Sequence, residues 1–98
     1  MACYVLAHVE VIDWATYGGY ATAVLEQLSA TGGRVLAAGP ASVVEGSPMA
    51  EHNVILEFSN EEAARRWYDS DAYQGIISIR HKASSSSQVA ILPGWEGP

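Results

Sequence analysis

The residues of this chain best suited to chemistry fall into three groups. The first is polar and lies on strand-like segments. In "YVLAHVEV", His8 and Glu10 are two apart, so an extended backbone sets them on one face, about 6.6–6.8 Å apart along the chain. Glu57, in "NVILEFS", has the parity to join them if Ile55 faces the same way. A histidine beside carboxylates has its protonated form favoured, which suits general acid or base work near neutrality. The same three side chains can equally form an interface network that fixes the register of two subunits. A metal held by His8, Glu10 and one of His52 or His81 is compatible with the composition, but no spacing brings the other histidines near, and none is expected.

The second group is aromatic: Tyr17, Tyr20, Trp67, Tyr68 and Tyr73. Such residues at helical spacing pack a core, yet a buried hydroxyl or indole N–H needs a partner, and a ligand can be that partner. Tyr73 is therefore a candidate catalytic hydroxyl, with Tyr17, Tyr20 and Trp67 as candidate walls of a substrate pocket. The third group is Arg34, Arg80 and His81. Arg80 can grip a carboxylate or phenolate with its planar fork, or it can close a salt bridge. Neither glycine pair, at 18 and at 32, has the spacing of a phosphate loop, and no Ser-His-Asp or Cys-His nucleophile set is visible.

The elements that must position these groups follow from periodicity. Residues 3–12, "CYVLAHVEVI", alternate as a strand, with Cys3, Val5, Ala7, Val9 and Val11 on an apolar side and Tyr4, Leu6, His8 and Glu10 on a mixed one. Asp13 stands as a helix N-cap, and Tyr17, Tyr20, Ala21, Val24 and Leu28 form one stripe. "TGG" ends that helix. "RVLAAG" is a second strand, which "PASVVEGSPM" extends briefly after a turn. "NVILEFS" is a third strand, with Val54, Leu56 and Phe58 against Ile55 and Glu57. Ser59 or Asn60 caps a second helix, which "DSDAY" interrupts before it resumes through Arg80. "SSSS" at 84–87 reads as a flexible connector, "QVAILP" as the last strand, and 94–98 as a tail whose Trp95 can dock on the body or on a partner subunit.

The order β-α-β-β-α-β predicts an α+β, ferredoxin-like protomer: one antiparallel sheet with two helices over one face. The other face is left open, and two such sheets facing each other make a dimeric α/β barrel, so a homodimer is expected. All 98 residues suit one domain. A hydrophobic content of 49% with no long uncharged run argues for a globular chain without a membrane span. Five basic residues against eleven acidic ones, for a formal charge of -6, disfavour a nucleic-acid partner. Cys3 is the only cysteine, which excludes an intrachain disulfide, and no leader pattern precedes the first strand, so a cytoplasmic location is expected.

The strand "YVLAHVEVID", the pattern of Asp13, Tyr17 and Tyr20, "GGRVLAAG", "VILEFSNEEAARRWYDSDAYQ" and the "IR" at 79 and 80 together resemble the bacterial domain of unknown function 1330 family, within the dimeric α/β-barrel superfamily. The block "EFSNEEAARRWYDSDAY" is the most specific part. The resemblance implies a ferredoxin-like protomer and a homodimer but no reaction. The superfamily contains cofactor-free monooxygenases of aromatic polyketides, lactone isomerases and haem enzymes, an analogy of fold alone. In several of its oxygenases a tryptophan and a tyrosine of the second-helix region surround an aromatic substrate, and Trp67 and Tyr73 are similar in placement. Three positions depart from the family pattern. Ala38 stands where an arginine is common, His8 where an acidic residue is common, and Gly18 and Gly19 where polar helix formers separate the two tyrosines.

These readings converge on a homodimeric enzyme that needs no cofactor and acts on a small apolar or aromatic metabolite by oxygenation, cyclisation or isomerisation, in a pocket between helices and sheet. His8 is the expected acid or base. The alternative is a dimer that binds a small molecule without converting it. Gly18 and Gly19 fall away from the buried stripe and each costs about 0.8–1 kcal/mol relative to alanine. They are either a tolerated defect or a loosening of the first helix beside a pocket that Ala38 enlarges.

Overall fold

Strand β1 (Cys3–Val11) is the centre of the molecule because both of its edges are paired. In the computed structural model, which describes residues 1–97, it runs antiparallel to β3 (His52–Phe58) on one side and to β4 (Ser84–Pro93) on the other. An outer strand, β2 (Arg34–Gly39), joins β3, giving the four-stranded order β2-β3-β1-β4. This is the antiparallel sheet of a ferredoxin-like α+β fold. The alternation in β1 decides its two sides. Cys3, Val5, Val9 and Val11 are buried under helices, whereas Tyr4, His8 and Glu10 stay half-exposed on the opposite face.

Helix α1 (Trp14–Thr31) begins where expected. Asp13 has extended backbone angles and accepts the Thr16 backbone N–H at 3.1 Å. Tyr17, Tyr20, Val24 and Leu28 form its buried stripe, and Gly32 closes it with φ at 77°, a left-handed angle that suits glycine. The second helical region arrives as three pieces: α2 (Glu61–Asp69), α3 (Asp71–Gln74) and α4 (Ile77–Ala83). Asn60 caps the first piece at Ala63 N, 2.8 Å away, and Glu61 and Glu62 occupy its first turn. The break comes at Ser70, whose hydroxyl accepts the Tyr73 N–H at 3.1 Å and so starts α3. Ala64, Trp67, Tyr73 and Ala83 complete a core with Leu56 and Phe58. No helix among the described residues is long and apolar enough to cross a membrane.

Two sequence expectations need correction. The serine run at 84–87 is no flexible connector but the first part of β4: Ser84, Ser86 and Ser87 lie opposite Val11, Glu10 and Val9. Backbone pairing to a central strand needs no apolar side chain, so tertiary context overrides the weak propensity of serine. Residues 40–51 do not extend β2. The strand ends at Gly39, at φ 141°, and Pro40, with no N–H to donate, follows it. Residues 94–97, after β4, carry no regular structure and Trp95 is exposed, so this side chain does not dock on its own protomer. Pro98 of that tail lies outside the described residues.

Gly18 and Gly19 sit inside an unbroken α1, and a Cβ built on either one meets nothing within 4 Å. They are therefore places where the helix gives up stability without any packing reason. Gly18→Ala and Gly19→Ala are each expected to stabilise the fold by about 0.8–1 kcal/mol. The thermal midpoint should rise by about 4–8 °C for each kcal/mol, as read by circular dichroism.

Candidate functional site

The helical layer does not sit flush on the sheet. Between them lies a cavity of about 250 Å³. Its roof is α1, through Tyr17, Tyr20, Ala21 and Val24, and one end is closed by Trp67 and Tyr73. Its floor is the sheet, through Val5, Ala7, Val54, Val89 and Leu56. Val35 and Ala38 of β2 form the outer wall. The small side chain at 38 thus enlarges this space, and the glycine pair on the far side of α1 does not reach it.

The polar end of the cavity is a cluster of three side chains. The hydroxyls of Tyr20 and Tyr73 are 2.7 Å apart. Nη1 of Arg80 donates to Tyr73 at 2.5 Å and to Tyr20 at 3.3 Å. The Arg80 Nε donates to the Ser87 hydroxyl at 3.2 Å, and the guanidinium carbon lies 5.7 Å from the centre of the Tyr20 ring. Only 5% of Arg80 is exposed, and among the described residues no carboxylate pairs with it. Its partners are the hydroxyls of Tyr20, Tyr73 and Ser87, the Tyr20 ring face and the His81 ring, whose Nε2 lies 3.3 Å from Nη2. Burial pushes the Tyr73 phenol far above its ordinary range, and the neighbouring Tyr20 adds to that shift by repulsion and by its hydrogen bond. Tyr73 is therefore a neutral hydroxyl at physiological pH.

The other end of the cavity carries His52. Its ring lies 5.3 Å, centre to centre, from both Trp14 and Tyr17, nearly perpendicular to each. Tyr17 is in turn 5.4 Å from Tyr20, so His52 of β3 continues the row of rings that Tyr17 and Tyr20 begin on the roof. Burial lowers the His52 pKa and keeps the imidazole neutral. Sequence reasoning weighed His52 only as a metal ligand. The parity of β3 pointed to it, since His52 shares a face with Val54, Leu56 and Phe58.

The candidates of the open sheet face do not join this cavity. His8, expected as the acid or base of the pocket, lies on the other side of the sheet, where its Nδ1 is 2.6 Å from Asn53 Oδ1. Glu10 accepts the backbone N–H of Glu51 at 2.7 Å, and Glu57 pairs with Arg34 at 2.6 Å. Glu57 stands opposite Tyr4 and His8 opposite Asn53, which puts about 13 Å of strand between the two. The sheet therefore separates His8, Glu10 and Glu57 from Tyr17, Tyr20, Trp67, Tyr73 and Arg80. No three His, Cys, Asp or Glu side chains converge on a metal-binding geometry among the described residues. The indole N–H of Trp67 donates to Gln27 Oε1 at 3.0 Å, so a ligand is not required to satisfy it.

Known proteins extend the picture of the fold. The model of the family described as domain of unknown function DUF1330 matches residues 2–95, and the chain belongs to that family. None of the curated proteins matches the sequence. Among solved structures, a protein of unknown function from Rhodopseudomonas palustris superposes with a TM-score of 0.79 at 16% identity, covering 98% of this chain and 84% of that one. A dimeric ferredoxin-like protein of unknown function from Jannaschia gives 0.68 at 16% identity, covering 96% of this chain and all 100% of the other. A protein from Caulobacter crescentus, provisionally described as an antibiotic biosynthesis monooxygenase, gives 0.61 at 12% identity, covering 97% and 91%. At these identities the likeness shows the fold.

The buried phenols make the protein sensitive to alkali. Burial pushes Tyr17 up to about 12 from the ordinary tyrosine value of 10.0, and Tyr73 moves further in the same direction. Both folded values lie above the unfolded one, so the stability linked to them is fully present below pH 10.0 and is lost as pH rises through about 12. Ultraviolet titration is expected to show two tyrosines that ionise only as the fold opens. The Tyr73→Phe and Tyr17→Phe variants should each remove one of them.

Proposed function

We propose, starting from the fold of this family, that the protein is a homodimeric enzyme that transfers protons on a small, largely apolar or aromatic molecule held in the cavity between helices and sheet. The observation that carries this reading is the cavity itself. Its walls are apolar, and its few polar groups are a neutral imidazole at one end and a pair of neutral hydroxyls at the other. Such a site orients a substrate and moves a proton, while the substrate supplies its own reactivity. Isomerisation, cyclisation and cofactor-free oxygenation all begin with such a transfer. In this reading His52 is the base, Tyr73 and Tyr20 are hydrogen-bond donors, and Tyr17 and Trp67 hold the molecule in plane.

The open sheet face is the proposed dimer surface. Leu36, Ile55 and Leu92 are exposed there or along its edge, and Tyr4 and Leu6 are half-exposed beside them. A second copy would bury an apolar face of this kind, and the similar fold from Jannaschia, described as dimeric, supports the reading. His8, Glu10 and Glu57 then belong to the contact between sheets, where His8–Asn53 and Arg34–Glu57 help to fix the register. A cytoplasmic setting is part of the same proposal.

Three measurements test it. Size exclusion is expected to give a dimer, and Ile55→Lys, which places a charge in the apolar contact, a monomer. Titration with nitrobenzene, a neutral aromatic probe, is expected to show binding that Ala38→Leu weakens while leaving the fold intact. Once a substrate is found, His52→Ala should lower kcat by about 10²–10⁴-fold, the usual contribution of a general base. The wild-type rate should hold down to the ordinary histidine value of 6.5 and decline below it, because burial lowers the His52 pKa. A dimer that binds the probe but converts none of a broad set of aromatic and carbonyl compounds would instead be a carrier.

A further inference from the structure

The hydroxyl pair at the end of the cavity has one proton more than the protein can use. Two phenols carry two hydroxyl hydrogens, and their mutual bond takes one of them. Arg80 only donates, and it donates to both oxygens. Neither Tyr20 nor Tyr73 has a further acceptor among the described residues. Whichever way the mutual bond points, the second hydroxyl hydrogen is left without a protein partner, and both phenols line the cavity.

The surroundings of that proton are positive. Arg80 is buried directly behind the pair with no carboxylate to offset it, and its bonds to the two oxygens make their own protons better donors. Every polar group at this end of the cavity therefore gives hydrogen bonds or positive potential. The remaining walls near it, Trp67, Val24 and Leu56, are apolar and offer no competing acceptor. A ligand made only of carbon would leave the surplus proton unsatisfied in a dry site, at a cost. A ligand with a cationic or donor group there would be repelled.

Resting on the cavity reading above, we infer that the Tyr20–Tyr73 pair, backed by Arg80, is an oxyanion site, and that the ligand is an apolar molecule bearing one conjugated oxygen, a phenolate or an enolate. Arg80 does not line the cavity, so it is a positioning residue. It holds the two hydroxyls and supplies the field, and the phenols make the contact. This gives the proposed proton transfer a direction. A proton leaving carbon for the His52 imidazole leaves its electron pair on the conjugated oxygen, which receives a hydrogen bond from the phenol pair. Return of the same proton to another carbon of the conjugated system completes an isomerisation with no other reactant.

The test uses two probes that differ in one hydroxyl, 4-nitrophenol and nitrobenzene, with the full-length protein. The phenolate of 4-nitrophenol is coloured, so its ionisation can be followed while bound. Wild-type protein is expected to bind the phenolate at least about tenfold more tightly than the phenol, seen as a downward displacement of the bound probe's titration by a full pH unit. Tyr20→Phe and Tyr73→Phe should reduce the displacement, and their combination should abolish it in a protein whose circular dichroism spectrum matches the wild type. The wild-type titration is decisive even if a variant does not fold. If nitrobenzene binds but 4-nitrophenol titrates as it does in free solution, the oxyanion site is overturned and the cavity reading stands. Failure of both probes to bind overturns the two together. A displacement that persists in a folded Tyr20→Phe/Tyr73→Phe variant overturns the role given to the phenols.

Discussion

A guanidinium buried among neutral oxygens ties the helical layer of this protein together. Arg80 comes from α4, the two phenols from α1 and α3, and the Ser87 hydroxyl from β4. Hydrogen bonds to a charged group contribute about 1.5–3 kcal/mol each, more than bonds between neutral partners. They matter here because α3 has 4 residues and α4 has 7, lengths at which an isolated helix does not persist. Gln27 plays a supporting part, accepting from the Trp67 indole and donating to the Ala72 carbonyl, so that α1 is tied to α2 and α3. These ties hold the Tyr20 and Tyr73 side chains at one end of the cavity.

The sheet divides the chemistry of the chain in two. Side chains on one face of β1 and β3 enter the core and the cavity, and their immediate neighbours in sequence point the other way. His52 and Asn53 are adjacent residues, yet one is packed on Tyr17 of the roof and the other is bonded to His8 on the open side. A substitution at either position should therefore act on one function and leave the other alone. This separation leaves room for both proposed roles, an open face for a second copy and a cavity for a small molecule, in a chain of 98 residues.

Much of the fold was legible because it rests on local periodicity. The alternation of "CYVLAHVEV", the stripe from Tyr17 to Leu28, and the caps Asp13 and Asn60 are all where their spacing placed them. The serines of β4 were misread because their pairing is set by the distant strand β1 and not by their own propensity. The candidate site was legible in part. Tyr17, Tyr20, Trp67 and Tyr73 do converge, since two helical stripes over one sheet must meet. His8 and Glu57 share a face but are kept apart by register, which is a non-local quantity. His52 could have been read from parity. The contact between Arg80 and the two phenols could not, because Tyr20 is 60 residues away and Tyr73, 7 residues away, lies across a break in the second helix.

One irregularity of the edge strand remains consequential. Between Val35 and Ala37 the pairing of β2 with β3 shifts, so that Val35 and Ala38, three apart, both face inward. These two wall positions belong to the outermost strand, which buries little, whereas the core lies on β1 and β3. The width of the chamber can therefore drift through substitutions on a strand that bears little of the folding energy. Under the proposed function, a change at position 38 would alter the size of molecule admitted while leaving the strands that carry the core untouched.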